Sequence, residues 1–289
     1  MTGVDIDLKK VNGQQTDTAC ILVFVRKKGE FQPADEIPKF ISGIPTDIEE
    51  AVFVKYTMTI QAGIDRTRYD PCKGGAAIMP ARITDAYGSL GILVTDSTTT
   101  NKVWLSAYHV LCVDSHWNDP GVDKSVTQPA IALGGRKSAD TIGAVLRGTY
   151  GQVDVPWGFD LYIDAAICSS VGRATDPNVI RIGAPRGARN AQIASLVAKY
   201  GATTERTSGQ VVSTNATVNI DGTWFYYQCR VSPPYIGAPP FSQGGDSGAA
   251  VFDEDFYVIG LVIAGPATGA YTIVNPIGQI MENLNITVP

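Results

Sequence analysis

The chain reads as short apolar or alternating runs separated by Gly, Pro and Asn. "CILVFVRKK" (20–28) is an apolar strand that ends in charge. In the following stretch, "PADEIPKFISGIPTDIEEAVFVKYTMTI", Pro33 and the acids Asp35 and Glu36 suit the start of a short helix, while "AVFVKYTMTI" alternates like a second strand. Residues 1–73 therefore predict a small α/β unit, and the turn-rich, charged stretch "DRTRYDPCKGGAA" (65–77) marks its boundary. From residue 74 to 289 the pattern is different. "GSLGILVTD", "KVWLSAYHV", "DTIGAVLRG", "LYIDAAICSS", "AQIASLVAKYG", "GQVVSTNATVNID", "TWFYYQCRV", "AAVFDEDFYVIGLVIAG" and "AYTIVNPI" are β-type runs spaced by turn signals. Such spacing predicts a mainly β region built as a sandwich or a pair of barrels. Only the tail, "NPIGQIMENLNI", reads as a helix.

Composition narrows the function classes. A chain of 289 residues that is 44% hydrophobic can bury a sizeable core. The net charge is −5 and the lysines and arginines are scattered, so no basic stripe is present to follow a phosphate backbone, and nucleic acid is not an expected partner. Cysteines at 20, 72, 112, 168 and 229 form an odd set without CxxC pairs, which fits reduced thiols rather than a disulfide framework or a zinc cluster. The first twenty residues lack an apolar core of the signal-peptide type, and no run approaches the roughly 20 apolar residues of a membrane span. These features predict a cytoplasmic protein without a membrane partner.

Candidate chemistry begins at "FSQGGDSGAAV" (241–251). Gly-Asp-Ser clusters are ordinary turn vocabulary, and a plain turn is one reading. The other is a loop that presents the Ser247 hydroxyl as a nucleophile, with the backbone N–H groups of Gly245 and Ser247 aimed at a developing oxyanion. That second reading needs a base. His116 lies in the polar loop "VDSHWNDPG" and reads as surface, whereas His109 ends the apolar run "VWLSAYHV", where it either packs structurally or serves as a base. Asp164 enters the apolar run "DLYIDAAICSS", a costly position for a carboxylate without a partner, and an imidazole N–H is one such partner.

"LSAYHV", "DAAI" and "GGDSGAAV", in that order, resemble the "TAAHC", "DIAL" and "GDSGG" signatures of the chymotrypsin-like (trypsin-fold) serine peptidases. "IGLVIAG" and "TGAYTIV" are similar to that family's groove strands, "GIVSWG" and "PGVYTKV". The N-terminal segment near "IPTDI", with "GGAAI", "GSLGILVTD" and "YGATTERTSGQV", resembles the intracellular branch related to the plant Narrow Leaf 1 protein and its bacterial relatives. The resemblance implies a double β-barrel over 74–289, an N-terminal extension over 1–73, and an endopeptidase acting on peptides or proteins without cofactor or metal. It assigns His109 as general base, Asp164 as the acid that orients it, Ser247 as nucleophile, and the amides of Gly245 and Ser247 as the oxyanion hole. Counting six residues back from Ser247 places Phe241 at the base of the substrate pocket. Ser242 follows it, and Ala264, Gly265 and Gly269 form the walls.

In the alternative geometry Phe241 points into the barrel and Ser242 or Gln243 forms the floor; both versions predict poor acceptance of lysine and arginine. Several positions depart from the family pattern. Tyr108 stands where relatives carry a small residue or asparagine, and Ile263 stands where a serine would support the triad acid. No "IVGG"-like terminus exists to reach Asp246, so an internal cation or backbone donors are expected to neutralise it. The runner-up function is a catalytically silent relative that uses the groove to bind peptides or to assemble. A homo-oligomer stays open, and a general esterase is a third reading.

Overall fold

The computed structural model describes residues 1–29, 36–55, 63–155 and 160–289. Two large sheets dominate it. In the first, eight strands run in the order Ile286–Thr287, Leu93–Asp96, Lys102–Ser106, Leu161–Ser169, Thr141–Val153, Ser125–Thr127, Ala77–Pro80 and Gly88–Ser89. Trp104, Leu90, Ile78, Val126 and Cys168 fill its interior. The strand Leu161–Ser169 is buried along almost its whole length, which is why it reads as a continuous apolar run rather than an alternating one.

The second sheet closes on itself. The strands Leu196–Gly201, Ala250–Asp253, Val258–Pro266, Thr272–Pro276, Thr223–Ser232 and Glu205–Ile220 pair in turn, and the last pairs back onto the first through Leu196↔Gln210 to Gly201↔Glu205. Val197, Val211, Val231, Phe241, Val251 and Val274 pack inside this ring. The long strand Glu205–Ile220 alternates between inward and outward residues, as a barrel stave with one wet face must. Between the two sheets lies a third cluster, in which Ile92, Leu105, Ile163 and Ile167 meet Phe252, Val258 and Leu261.

The tail predicted to be helical forms the helix Ile277–Leu284, with Ile277, Ile280 and Leu284 buried on one face and Asn285 closing it at φ 48°. His109 is one step removed from its expected place. The strand stops at Ser106, and a single helical turn, Tyr108–Leu111, carries the histidine. Further short helical turns lie at Ile131–Leu133 and Lys137–Asp140, so the tail is not the sole helical segment.

Every described regular element before residue 74 is a strand. The helix start expected at Pro33 and Asp35 lies outside the described residues, as does "AVFVKYTMTI" beyond Lys55. The strand Gly3–Val11 joins the edge of the second barrel through Gly3↔Val218 and Val4↔Thr217. Gln14–Val25 pairs with it antiparallel, and Ile44–Glu50 pairs parallel with Gln14–Val25.

A buried ion triad fastens this junction. Arg230, fully buried on the barrel strand, donates from Nε to Asp5 at 2.6 Å and from Nη2 to Asp7 at 2.6 Å. Ser213 donates to the other Asp5 oxygen at 2.6 Å, and the guanidinium lies 4.5 Å from the Tyr271 ring. Burial opposes the charge on Arg230, but the two carboxylates outweigh it and raise the pKa. Removing one partner leaves the other charged and dry. Arg230→Ala should therefore lower the free energy of unfolding in urea by about 3–5 kcal/mol. The double replacement Arg230→Met with Asp5→Leu should recover much of that loss; equal losses in the single and double variants would show that the triad contributes packing alone.

Candidate active site

The loop 241–251 is held from below by a carboxylate. Asp246 is fully buried and collects the backbone N–H groups of Gln243 at 3.0 Å, Thr203 at 2.9 Å and Thr204 at 3.2 Å, together with the Thr204 hydroxyl at 2.6 Å. Its cation is Lys199, whose Nζ lies 3.2 Å away with both side chains fully buried. Lys199 also donates to the Thr204 hydroxyl and to the Glu205 carbonyl. Burial pulls the Lys199 ammonium below the ordinary lysine range, and Asp246 opposes that pull. Asp246 thus has an internal lysine and backbone donors together. Lys199 was not singled out in the sequence, although a signal is present: in "LVAKYG" it falls on the inward face of an alternating strand, in phase with Val197.

Thr203 donates its hydroxyl to the Gly244 carbonyl, and Ser89 donates its own to the Gly245 carbonyl at 2.8 Å. Both carbonyls are thereby tied down on the protein side. The N–H groups of Gly245 and Ser247 have no acceptor among the described residues. Gly245 sits at φ 90°, and a Cβ there would stand 2.3 Å from the Tyr87 ring, so only glycine fits this turn. Packing and chemistry demand the same residue at this position.

His109 and Asp164 meet. Nδ1 of the imidazole is 2.6 Å from one Asp164 oxygen, and the His109 backbone N–H donates to the other at 3.1 Å. Asp164 is fully buried, its own N–H donating to Asn275 Oδ1 at 3.0 Å, while Asn275 donates to the Tyr162 carbonyl at 2.7 Å and to Gln228 Oε1 at 3.0 Å. The support that a serine at position 263 would give the acid is supplied here by the backbone amide of His109 itself. A proton on Nδ1 shared with the carboxylate leaves Nε2 as an acceptor, the tautomer a base requires.

The loop that carries Ser247 packs at Gly248 on Ser106 and Ala107, which lead into His109, and Ser247 is not hydrogen-bonded to the ring. The Ser247 carbonyl accepts from Ser89 at 2.8 Å, and the loop approaches so closely that a Cβ on Gly248 would fall 2.1 Å from the Ser106 hydroxyl. The Ser247 hydroxyl donates to the Ile263 carbonyl at 3.3 Å, and His109 Nε2 has no hydrogen-bond partner among the described residues. The Tyr108 ring packs 5.7 Å from that of Tyr150 and edge-on to Trp117. His116 pairs with Asp119 on the surface and takes no part. All five cysteines are free and buried, Cys112 among them.

The structure places the expected pocket residues as follows. Phe241 is fully buried among Val197, Val211 and Val231 inside the barrel, where a phenyl ring gains more from packing than it would lining a wet slot. Its carbonyl accepts from Thr207 at 2.6 Å, fixing the chain in that direction. Ser242 follows, its hydroxyl 2.5 Å from that of Thr272. Of the expected walls, Ala264 is buried against Ile263 and Ile273, Gly265 pairs with Val54, and Gly269 turns at φ 70° where a Cβ would meet Pro240 at 2.7 Å. Among the described residues no cluster of His, Cys, Asp and Glu forms a metal site, and no helix is long and apolar enough to cross a membrane.

The Asp246–Lys199 pair generates a test. Lys199→Met leaves a carboxylate buried without its cation, and unfolding in urea should become easier by about 3–5 kcal/mol. Thr204→Val, which removes one neutral donor from the same carboxylate, should cost less, about 1–3 kcal/mol. A Lys199→Met loss no larger than that of Thr204→Val would show that the backbone donors suffice alone.

No family model and no curated protein sequence matches the chain. Solved structures do. A glutamic acid-specific serine protease that uses a histidine triad in substrate binding superposes with a TM-score of 0.52 at 22% identity, over 75% of this chain and 100% of its own. Nocardiopsis protease gives 0.50 at 18% identity over 76% and 99%, and an α-lytic protease homologue, N4, gives 0.52 at 17% identity over 74% and 97%. What these proteins share with the chain is its fold: it is mainly β and has the chymotrypsin-like arrangement of barrels.

Proposed function

We propose that the protein is a serine endopeptidase, with residues 74–289 as the catalytic region and 1–73 as an N-terminal extension. The observation that carries this reading is the 2.6 Å contact between His109 Nδ1 and Asp164, which leaves Nε2 unsatisfied next to the loop that holds Ser247 and two free amides. For attack, the Ser247 hydroxyl has to leave the Ile263 carbonyl and donate to Nε2. His109 takes the proton as Oγ bonds to the substrate carbonyl carbon, and the oxygen that becomes negative is met by the N–H groups of Gly245 and Ser247. The imidazolium then protonates the leaving amine, and Asp164 stabilises the charge on the ring throughout. Water attacks the acyl-enzyme by the same route in reverse. On the motifs quoted above, we also place the chain in the intracellular Narrow Leaf 1-like branch.

A silent, peptide-binding relative remains the second reading, and one observation favours it: Ser247 and His109 are not hydrogen-bonded and both side chains are almost wholly buried.

With Phe241 in the barrel core, the substrate side chain before the scissile bond meets small residues and hydroxyls, so we propose a preference for small or polar side chains. A lysine or arginine there would be buried without a counter-ion. Ser247→Ala should abolish labelling by a fluorophosphonate. Ser247→Ala and His109→Ala should each lower kcat/KM for a peptide by at least about a thousandfold, and the double variant should be no worse, because the groups act as one unit. Wild-type turnover by Ser247→Ala would end the enzyme reading. In a cleaved peptide library, alanine or serine should exceed lysine or arginine before the cut, and the opposite order would refute the proposed pocket.

A further inference from the structure

The strand Val258–Pro266 meets Ser247 at Ile263, and the chain itself occupies the edge that continues beyond that contact. Ile263 receives the Ser247 hydroxyl, so the residues after it form the strand edge along which an extended peptide with its carbonyl at Ser247 has to lie. One side of that edge is taken by the barrel through Ala264↔Ile273. The other side carries the strand Phe53–Lys55, antiparallel, in the register Ala264↔Lys55, Gly265↔Val54 and Pro266↔Phe53. Lys55, at the C-terminal end, stands opposite the residue next to Ile263, so the strand runs toward the nucleophile.

Side chains hold it in place. Phe53 is buried with Ile263, Ala264, Ile273 and Phe24, and it also pairs with Ile220. The Lys55 ammonium lies 4.2 Å over the Tyr150 ring, which in turn packs on Tyr108, the neighbour of His109. The Lys55 N–H donates to Asp221 at 3.2 Å. Ser247 is 0% exposed and His109 4%.

Resting on the peptidase reading for the meaning of this edge, we propose that Phe53–Lys55 is a resident, substrate-like occupant of the peptide edge, and that an extended peptide must displace it to reach Ser247. A site whose competent state is only partly populated shows an affinity reduced by that fraction, so loosening the strand raises apparent affinity without changing the catalytic groups. Val54→Pro removes a backbone N–H and stiffens the strand, and Val54→Gly weakens it more gently.

The test uses the full chain and fluorescein-labelled casein, an extended protein probe. Binding is read by anisotropy in a Ser247→Ala background, and turnover with Ser247 intact. Val54→Pro should bind casein about tenfold more tightly and cleave it correspondingly faster at low casein concentration, and Val54→Gly should shift both in the same direction by less. If near-ultraviolet circular dichroism shows Val54→Pro to be unfolded, Val54→Gly carries the comparison. Tighter binding without turnover in any variant upholds the occupant and refutes the peptidase. Equal turnover and equal affinity in wild type and variants uphold the peptidase and overturn the occupant. Absence of casein binding and turnover in every folded variant overturns both.

Discussion

The pairing of Asp246 with Lys199 inside the second barrel is the constraint from which the candidate site follows. A carboxylate with no access to water must be surrounded by donors, and the donors here come from two places in the chain: Gln243 in its own loop, and Lys199, Thr203 and Thr204 on the strand Leu196–Gly201 and the turn after it. Once those bonds are made, the residues on either side of Asp246 have little freedom. Gly245 is forced to positive φ against Tyr87, Thr203 and Ser89 claim the adjacent carbonyls, and the two amides that remain point away from every protein acceptor described. A cation supplied from the neighbouring strand makes this geometry part of the folded chain and independent of a liberated terminus.

The same rule of desolvation organises the rest of the molecule. Asp164 is buried at the junction of the barrels and is satisfied by both the ring and the backbone of His109, so the acid positions the histidine twice. Asp5 is buried where the N-terminal strands meet the second barrel and is satisfied by Arg230 and Ser213. Each pair has a partner on a different element, which ties the N-terminal strands, the two barrels and the Ser247 loop into one set of mutually dependent contacts. The N-terminal strands extend the barrel sheet, and Phe53–Lys55 lies on the edge of Val258–Pro266, the strand whose Ile263 carbonyl accepts from Ser247, so the extension and the candidate groove share a surface.

Much of this was legible in the sequence because it is carried by local periodicity and by residue type. The alternation of Glu205–Ile220, the continuous apolar run around Asp164 and the helical spacing of Ile277, Ile280 and Leu284 each record which faces are buried. Asp164 stood out because a carboxylate entering an apolar run demands a partner, His109 because it ends such a run, and Ser247 because glycines and an acid crowd its loop. The helical turn that carries His109 escaped notice because a single turn has no periodicity to read.

By itself the sequence determined that the region from residue 74 on is mainly β, where many of its strands and its last helix lie, and which three side chains could form a catalytic set, but not the strands Gly3–Val11 and Ile44–Glu50 of the N-terminal part. Only the tertiary structure decided that Phe241 fills the barrel, that Lys199 neutralises Asp246, and that Phe53–Lys55 takes the open edge of Val258–Pro266. The physical reason is that a strand's backbone hydrogen bonds are the same for nearly every residue, so no local pattern names the partner edge. Ion pairs between distant strands likewise depend on register, which closure of the barrel sets.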